Sequence, residues 1–163
     1  MTLEIKKYPN AILKKKAEIV EEVTPGIKEL IFNMIETLRQ AQGVGLAAPQ
    51  VGISKRVIIV QTETGPQAYI NPKILEKSRK TDTKEEGCLC FPGLFLKIKR
   101  AKEAEIEALN ESGEKVKIQA EGILARIFQH EIDHLNGILI LDKVSFWQRL
   151  KLKRKLKDYG LDR

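Results

Sequence analysis

The sequence is poor in the residues that usually build disulfide frameworks and cofactor sites. Among 163 residues there are two cysteines, two histidines and one tryptophan. Cys88 and Cys90 are too few and too close together to staple a secreted fold. No stretch is long and apolar enough to cross a bilayer. The opening MTLEIKKYPN carries Glu4, Lys6 and Lys7 and lacks the apolar core of a signal peptide. A cytoplasmic protein with reduced thiols and no membrane contact is therefore expected. Internal repeats and low-complexity stretches are also missing, which excludes solenoids and disordered linkers. What remains is ordinary for a globular chain: 42% hydrophobic and 31% charged residues, at a length that suits one domain, 1–163. The formal net charge of +7 fits contact with polyanions, and fits equally a solvated basic surface.

Periodicity outlines the elements. Residues 1–23 read as an irregular arm with a short helical turn. Thr24 and Pro25 then cap and open a helix whose Ile27, Leu30, Ile31, Met34, Ile35 and Leu38 share one face, with Gly43 as its stop. Residues 43–52 form a Gly- and Ala-rich loop. Residues 56–61 make a buried strand, and AYINPKIL a second one whose Pro72 implies an edge or a bulge. A polar loop is expected at 77–84, with Cys88 at the start of further extended structure. Two alternating strands flank the Asn110–Gly113 turn, Ala104, Ile106 and Ala108 on one side and Val116 and Ile118 on the other. A second helix covers about 122–135 and ends before Gly137. A basic helix, about 145–159, closes the chain, with Phe146 and Trp147 as its expected anchors. The layout is α+β: short, mostly antiparallel strands packed around the second helix, an N-terminal amphipathic helix against them, and a basic C-terminal helix.

Both histidines fall in QHEIDHLNG, positions 129–137. On a helix His130 and His134 share a face, about 6 Å apart along the axis, and two imidazoles so placed can reach one cation. Glu131 points about 100° away, beside such an ion without filling a ligand position, as a general base requires. This is the H-E-x-x-H arrangement. Its apolar flanks, Ile127, Phe128, Ile132 and Leu135, argue against a plain surface helix. A third histidine is missing and no glutamate follows Glu131, so two common zinc peptidase patterns are excluded. The third ligand is then Asp142 or a cysteine of EGCLCFPG. A thiolate is the stronger ligand, and three protein ligands leave a position for water, the mark of a catalytic centre. Cys88 and Cys90, two apart, would face opposite sides of a strand, so only one should bind.

Three stretches stand in order: GVGLAAPQ at 43–50, EGCLC at 86–90 and QHEIDHLNG at 129–137. Over most of the chain this resembles the peptide deformylase family. The resemblance implies removal of the N-formyl group from formylmethionine of nascent polypeptides, with release of formate. It implies metal ligation by Cys88, His130 and His134, with Glu131 as acid/base, and Gln50 with the backbone N–H of Leu89 as oxyanion donors. The implied metal is Fe2+, with Zn2+ or Ni2+ able to substitute, and the implied substrates are N-formylmethionyl peptides. Two departures stand out: Cys90 occupies a place where the family commonly has serine, and YPNAILKK matches only loosely.

Further site residues follow. Ile127 and Ile123 lie three and seven residues before His130, and with Val44 they form either an apolar pocket or plain core. Gly45 would let the loop lie close to an extended substrate. Arg126 falls at the pocket rim, and Arg100 matches an arginine the family often keeps, a candidate for positioning substrate. The basic tail, with Arg149, Lys151, Lys153, Arg154, Lys155 and Lys157, suggests ribosome docking or a solvated helix. Two rival readings remain: an H-E-x-x-H peptidase using Asp142, and a ribosome- or RNA-binding module with a structural metal.

Overall fold

The computed structural model describes residues 1–157. The N-terminal arm contains one 3-10 turn, Ala11–Lys14, capped by Asn10, which accepts the Ile12 N–H at 3.1 Å. Helix α1 spans Pro25–Ala41, and Thr24 accepts the Ile27 N–H at 3.3 Å. The helix stops earlier than expected because Gln42, not Gly43, takes the left-handed conformation, with φ of 53°. Leu30, Ile31, Met34 and Leu38 are buried, and Ile27 and Ile35 pack at their margin.

Seven strands follow: β1 (Gly45–Ala47), β2 (Val57–Thr62), β3 (Gly65–Lys77), β4 (Thr81–Cys88), β5 (Phe91–Ala101), β6 (Glu103–Leu109) and β7 (Lys115–Glu121). Five form one antiparallel sheet in the order β1-β2-β3-β6-β7, and β4 and β5 form a separate hairpin. The expected loop at 43–52 thus holds a strand and a 3-10 turn, Ala48–Val51. Most of the polar loop expected at 77–84 is strand as well, and Cys88 ends β4 rather than opening a new strand.

The unbroken apolar run of β2 has a simple cause: both of its faces are covered. Val57 and Ile59 pack with α1, whereas Ile58 and Val60 pack with the second helix, α2 (Gly122–Leu135). β3 lies inside the sheet, so Pro72 marks the bulge and not an edge. The register shifts between Ile70 and Lys73. Asn71 adopts φ of 50°, and its side chain accepts the Val20 N–H at 2.9 Å and donates to the Val20 carbonyl at 2.8 Å.

α2 lies between the five-stranded sheet and the β4–β5 hairpin. Ala125, Phe128, Ile132 and Leu135 face the sheet. Past its end Gly137 has φ of 72°, and a Cβ there would overlap the Lys14 carbonyl. Burying each such large side chain contributes about 1.5–3 kcal/mol, so α2 is held along its length.

The expected C-terminal helix is two short ones, α3 (Phe146–Lys151) and α4 (Lys153–Lys157), broken at Leu152. Phe146 and Trp147 do not anchor it. Both are exposed, and the contact with the body comes from Leu152 and Leu156. The rest of that expected helix, residues 158–163, lies outside the described residues. No helix among the described residues is long and apolar enough to cross a membrane.

Candidate metal centre and active-site cleft

The helical spacing does what the periodicity implies. His130 and His134 point the same way from α2, and their Nε2 atoms are 3.2 Å apart. The third member comes from the end of β4, where Cys88 Sγ lies 3.3 Å from His134 Nε2. The three ligand atoms all fall within 4.8 Å of one another. Asp142 does not take part. It binds Lys14 Nζ at 3.1 Å and accepts the Leu139 N–H at 2.9 Å, which removes the basis for the peptidase alternative. Cys90 is also outside the cluster. The expectation that the two thiols face opposite ways fails, because residues 89 and 90 form a turn instead of continuing the strand. Gln50 Nε2 reaches both sulfurs, at 3.6 Å for Cys88 and 3.4 Å for Cys90.

A residue missed from sequence completes the centre. Glu86 accepts a hydrogen bond from His130 Nδ1 at 2.9 Å, which leaves Nε2 of that ring to face the cluster. The same carboxylate binds Arg100 through Nε at 3.0 Å and Nη2 at 2.9 Å, and Arg126 Nη1 at 2.6 Å. Burial works to raise the Glu86 carboxyl, but hydrogen bonds and charge from His130 and Arg100 outweigh it and hold it at about 2. Burial likewise works to lower His130, but the hydrogen bond to Glu86 and the charges of Glu131 and Glu86 outweigh it, so His130 is raised. His134 has no such partner; burial first, then the charges of His130 and Arg100, push it well down.

Arg100 therefore has a different place from the one expected. It is 5% exposed and does not line the cleft. Its guanidinium is taken by Glu86 and by Asp133 on α2, behind the histidines. Arg126 does border the cleft, but its guanidinium turns inward to Glu86, the Ile98 carbonyl at 2.8 Å and Asp82 at 2.6 Å.

Glu131 sits beside the cluster, and burial pushes its carboxyl up to about 7. A Cβ on Gly45 would overlap this carboxylate, so Gly45 permits the close approach of Glu131 while it also borders the cleft. Gln50 is held by its own backbone neighbour: Oε1 accepts the Ala47 N–H at 2.7 Å, which aims the amide N–H2 at the sulfurs. A cavity of about 490 Å³ opens over these groups. Leu89, Val44 and Ile123 line it, with Val44 54% and Ile123 71% exposed at its rim. Ile127 is 8% exposed, and it both lines the cavity and joins the core. A slightly larger cleft, about 550 Å³ between the N-terminal arm and α1, is lined by Leu3, Lys6 and Thr37 and holds none of this chemistry.

The donor set suits a divalent cation. One sulfur and two imidazole nitrogens match zinc or ferrous iron, and a fourth ligand is not supplied by the described residues. Two buried polar atoms on α2, Glu131 Oε2 and His134 Nδ1, have no hydrogen-bond partner among the described residues. Dry polar atoms are costly, and Glu131 borders the cavity.

Comparison with known proteins agrees with this geometry. The family model described as Polypeptide deformylase matches residues 2–150. A peptide deformylase of Thermotoga maritima is 47% identical over 154 residues, covering 94% of each chain. One of Halothermothrix orenii is 54% identical over 144 residues, covering 87% of this chain and 93% of the relative. Among solved structures, Thermotoga maritima peptide deformylase superposes with a TM-score of 0.87 at 46% identity, over 89% of this chain and 99% of the other. Ehrlichia chaffeensis peptide deformylase in complex with actinonin superposes with a TM-score of 0.90 at 38% identity, over 96% of both chains. With its sequence, fold and ligand cluster in agreement, the chain belongs to the polypeptide deformylase family.

Proposed function

We propose that this chain is a metal-dependent hydrolase that removes the formyl group from the N-terminal formylmethionine of nascent polypeptides and releases formate. The observation that carries the reading is the meeting of Cys88 Sγ, His130 Nε2 and His134 Nε2 within 4.8 Å, beside a buried carboxylate and an aimed amide. A divalent cation held by these three side chains supplies Lewis acidity that brings the pKa of water to about 7. Ferrous iron is the occupant we assign, with zinc or nickel able to substitute.

The chain's own groups do the rest. Glu131 takes a proton from the attacking water as its oxygen bonds to the formyl carbon. The same carboxyl returns a proton to the amine nitrogen as the C–N bond breaks, leaving formate and a free N-terminus. Burial raises the Glu131 carboxyl, which makes it a better proton acceptor than an exposed carboxylate. The Gln50 amide N–H and the Leu89 backbone N–H stabilise the oxyanion. Glu86 holds the His130 ring, and Gly45 leaves room for Glu131. Val44, Ile123 and Ile127 receive the methionine side chain.

We assign residues 1–163 to one catalytic domain, cytoplasmic, with the basic segment from about 145 as an appendage. Exposed Phe146 and Trp147 beside Arg149, Lys151, Lys153 and Arg154 fit docking to ribosomal RNA. Removing residues 149–163 should then weaken ribosome co-sedimentation, with the largest loss of affinity at low salt and a shallower salt dependence.

Formate release from a formyl-Met peptide tests the activity. The metal-loaded protein should release formate and leave internal peptide bonds intact. Absence of formate, or cleavage within longer peptides, would overturn the reading. Elemental analysis of protein purified without air tests the assignment of iron.

A further inference from the structure

Cys90 has no part in the chemistry above, yet it is placed with care. Cys88 ends β4 and pairs directly with Phe91 at the start of β5, so Leu89 and Cys90 are the two corner residues of the hairpin. In such a turn a residue and its second neighbour have Cα atoms about 5.5 Å apart, inside the ~4.4–6.8 Å range of disulfides. Their side chains also lie on one side. A single amide nitrogen, Gln50 Nε2, is 3.6 Å from one sulfur and 3.4 Å from the other. The two thiols lie close enough to hydrogen-bond, and a bound cation keeps Cys88 as thiolate.

Access differs between the two sulfurs. Cys88 lines the cavity, whereas Cys90 is 0% exposed and packs with Phe91 and Leu94. A small neutral oxidant entering the cleft therefore meets Cys88 first, with Cys90 waiting behind it.

We infer that Cys88 and Cys90 form a peroxide-responsive pair that closes to a disulfide across the β4–β5 turn and releases the cation reversibly. The inference rests on Cys88 being a metal ligand. A hydroperoxide gives one oxygen to the Cys88 sulfur, forming a sulfenic acid, and its other oxygen leaves as water (or an alcohol). The Cys90 sulfur then attacks the sulfenic sulfur. The S–S bond forms, the S–O bond breaks, and the hydroxyl leaves as water with the Cys90 proton. The two sulfurs together give up two electrons, and the peroxide is reduced by two. A disulfide sulfur is no thiolate, so the cation loses its third ligand. Without a second thiol the sulfenic acid would proceed to sulfinic and sulfonic acids, which reductants do not reverse.

The test uses the metal-loaded full chain and hydrogen peroxide. The tryptic peptide 85–97 carries both cysteines, and its mass is read without reduction. The expected product is that peptide lighter by two hydrogens, with the cation released to a chromogenic chelator. Dithiothreitol and added metal should restore both the free thiols and the bound metal. In Cys90→Ser the hydroxyl can still meet the Gln50 amide. Here the peptide should gain two or three oxygens at Cys88, and dithiothreitol should restore nothing. Oxygenated Cys88 as the main product in the natural sequence, or two intact thiols after treatment, would overturn the inference whether or not the variant folds. A disulfide that leaves the metal bound would uphold the pair and overturn Cys88 as a ligand.

Discussion

Two glutamates border the same cleft from opposite walls, Glu86 from β4 and Glu131 from α2. Both are buried, yet one is held at about 2 and the other is pushed to about 7. The residue type is the same, and so is the sign of the desolvation effect. What differs is company. Glu86 receives bonds from His130, Arg100 and Arg126, whereas Glu131 has an oxygen with no partner. A carboxylate surrounded by donors is a fixed charge that orients a ligand. A carboxylate left dry is one that can exchange a proton.

That contrast can be broken one side at a time. The largest effect is expected from Glu131→Gln, which keeps shape and removes the proton carrier. Turnover should fall at least about 10²–10⁴-fold, with metal content unchanged by elemental analysis. Loss of metal together with activity would mean that Glu131 has a structural role instead. Next comes Gly45→Ala, whose methyl group meets the Glu131 carboxylate. A displacement of about 1 Å can lower kcat about 10²-fold, so steady-state kinetics should show a kcat defect with little change in melting temperature.

On the other wall, Glu86→Gln should act on stability and metal retention before chemistry. It leaves Arg100 and Arg126 buried without their shared counter-charge, a loss of about 3–5 kcal/mol in chemical denaturation. Metal affinity should weaken about 10–100-fold through the freed His130 ring. Acid titration adds a signature. Because folding holds Glu86 below its usual 4.5, at about 2, its contribution is complete above about 4.5 and disappears as the pH falls toward about 2. Chelated protein should lose melting temperature across that window, and the variant should show a shallower slope. Equal slopes would remove Glu86 from the account.

The smallest effect has the opposite sign. Glu131 is raised from 4.5 to about 7, so its burial favours the unfolded state progressively as the pH rises through that interval. Chelated Glu131→Gln should therefore melt above the natural protein at and beyond neutral pH, by at most about 3 kcal/mol of stability. A lower melting temperature there would contradict the assignment of a dry carboxylate.

Much of the centre could be read in advance because it is local. His130 and His134 share a helix face, Thr24 caps α1, and the Asn110–Gly113 turn joins β6 to β7. Contacts between distant segments were harder to read. The Glu86–His130 bond spans 44 residues, and no periodic pattern announces it. One signal was available: Leu94, Leu96 and Ile98 alternate inward along β5, and Arg100 is next in that series. An arginine on a buried face needs a carboxylate, and Glu86 on the paired strand is the one that answers. The two cysteines misled for a related reason. Strand alternation places them on opposite sides, but a two-residue turn cancels alternation. β1 gives no strand signal in the sequence, because three residues are too few to show a period.

The central claim is that one sulfur and two imidazoles hold the ion, with a position left for water. X-ray absorption on the zinc-loaded protein tests it most directly. One sulfur at about 2.3 Å, two nitrogens at about 2.0–2.1 Å and one light oxygen scatterer are expected, with the sulfur lost in Cys88→Ala but kept in Cys90→Ser. Two sulfurs in the shell, or none, would contradict the account.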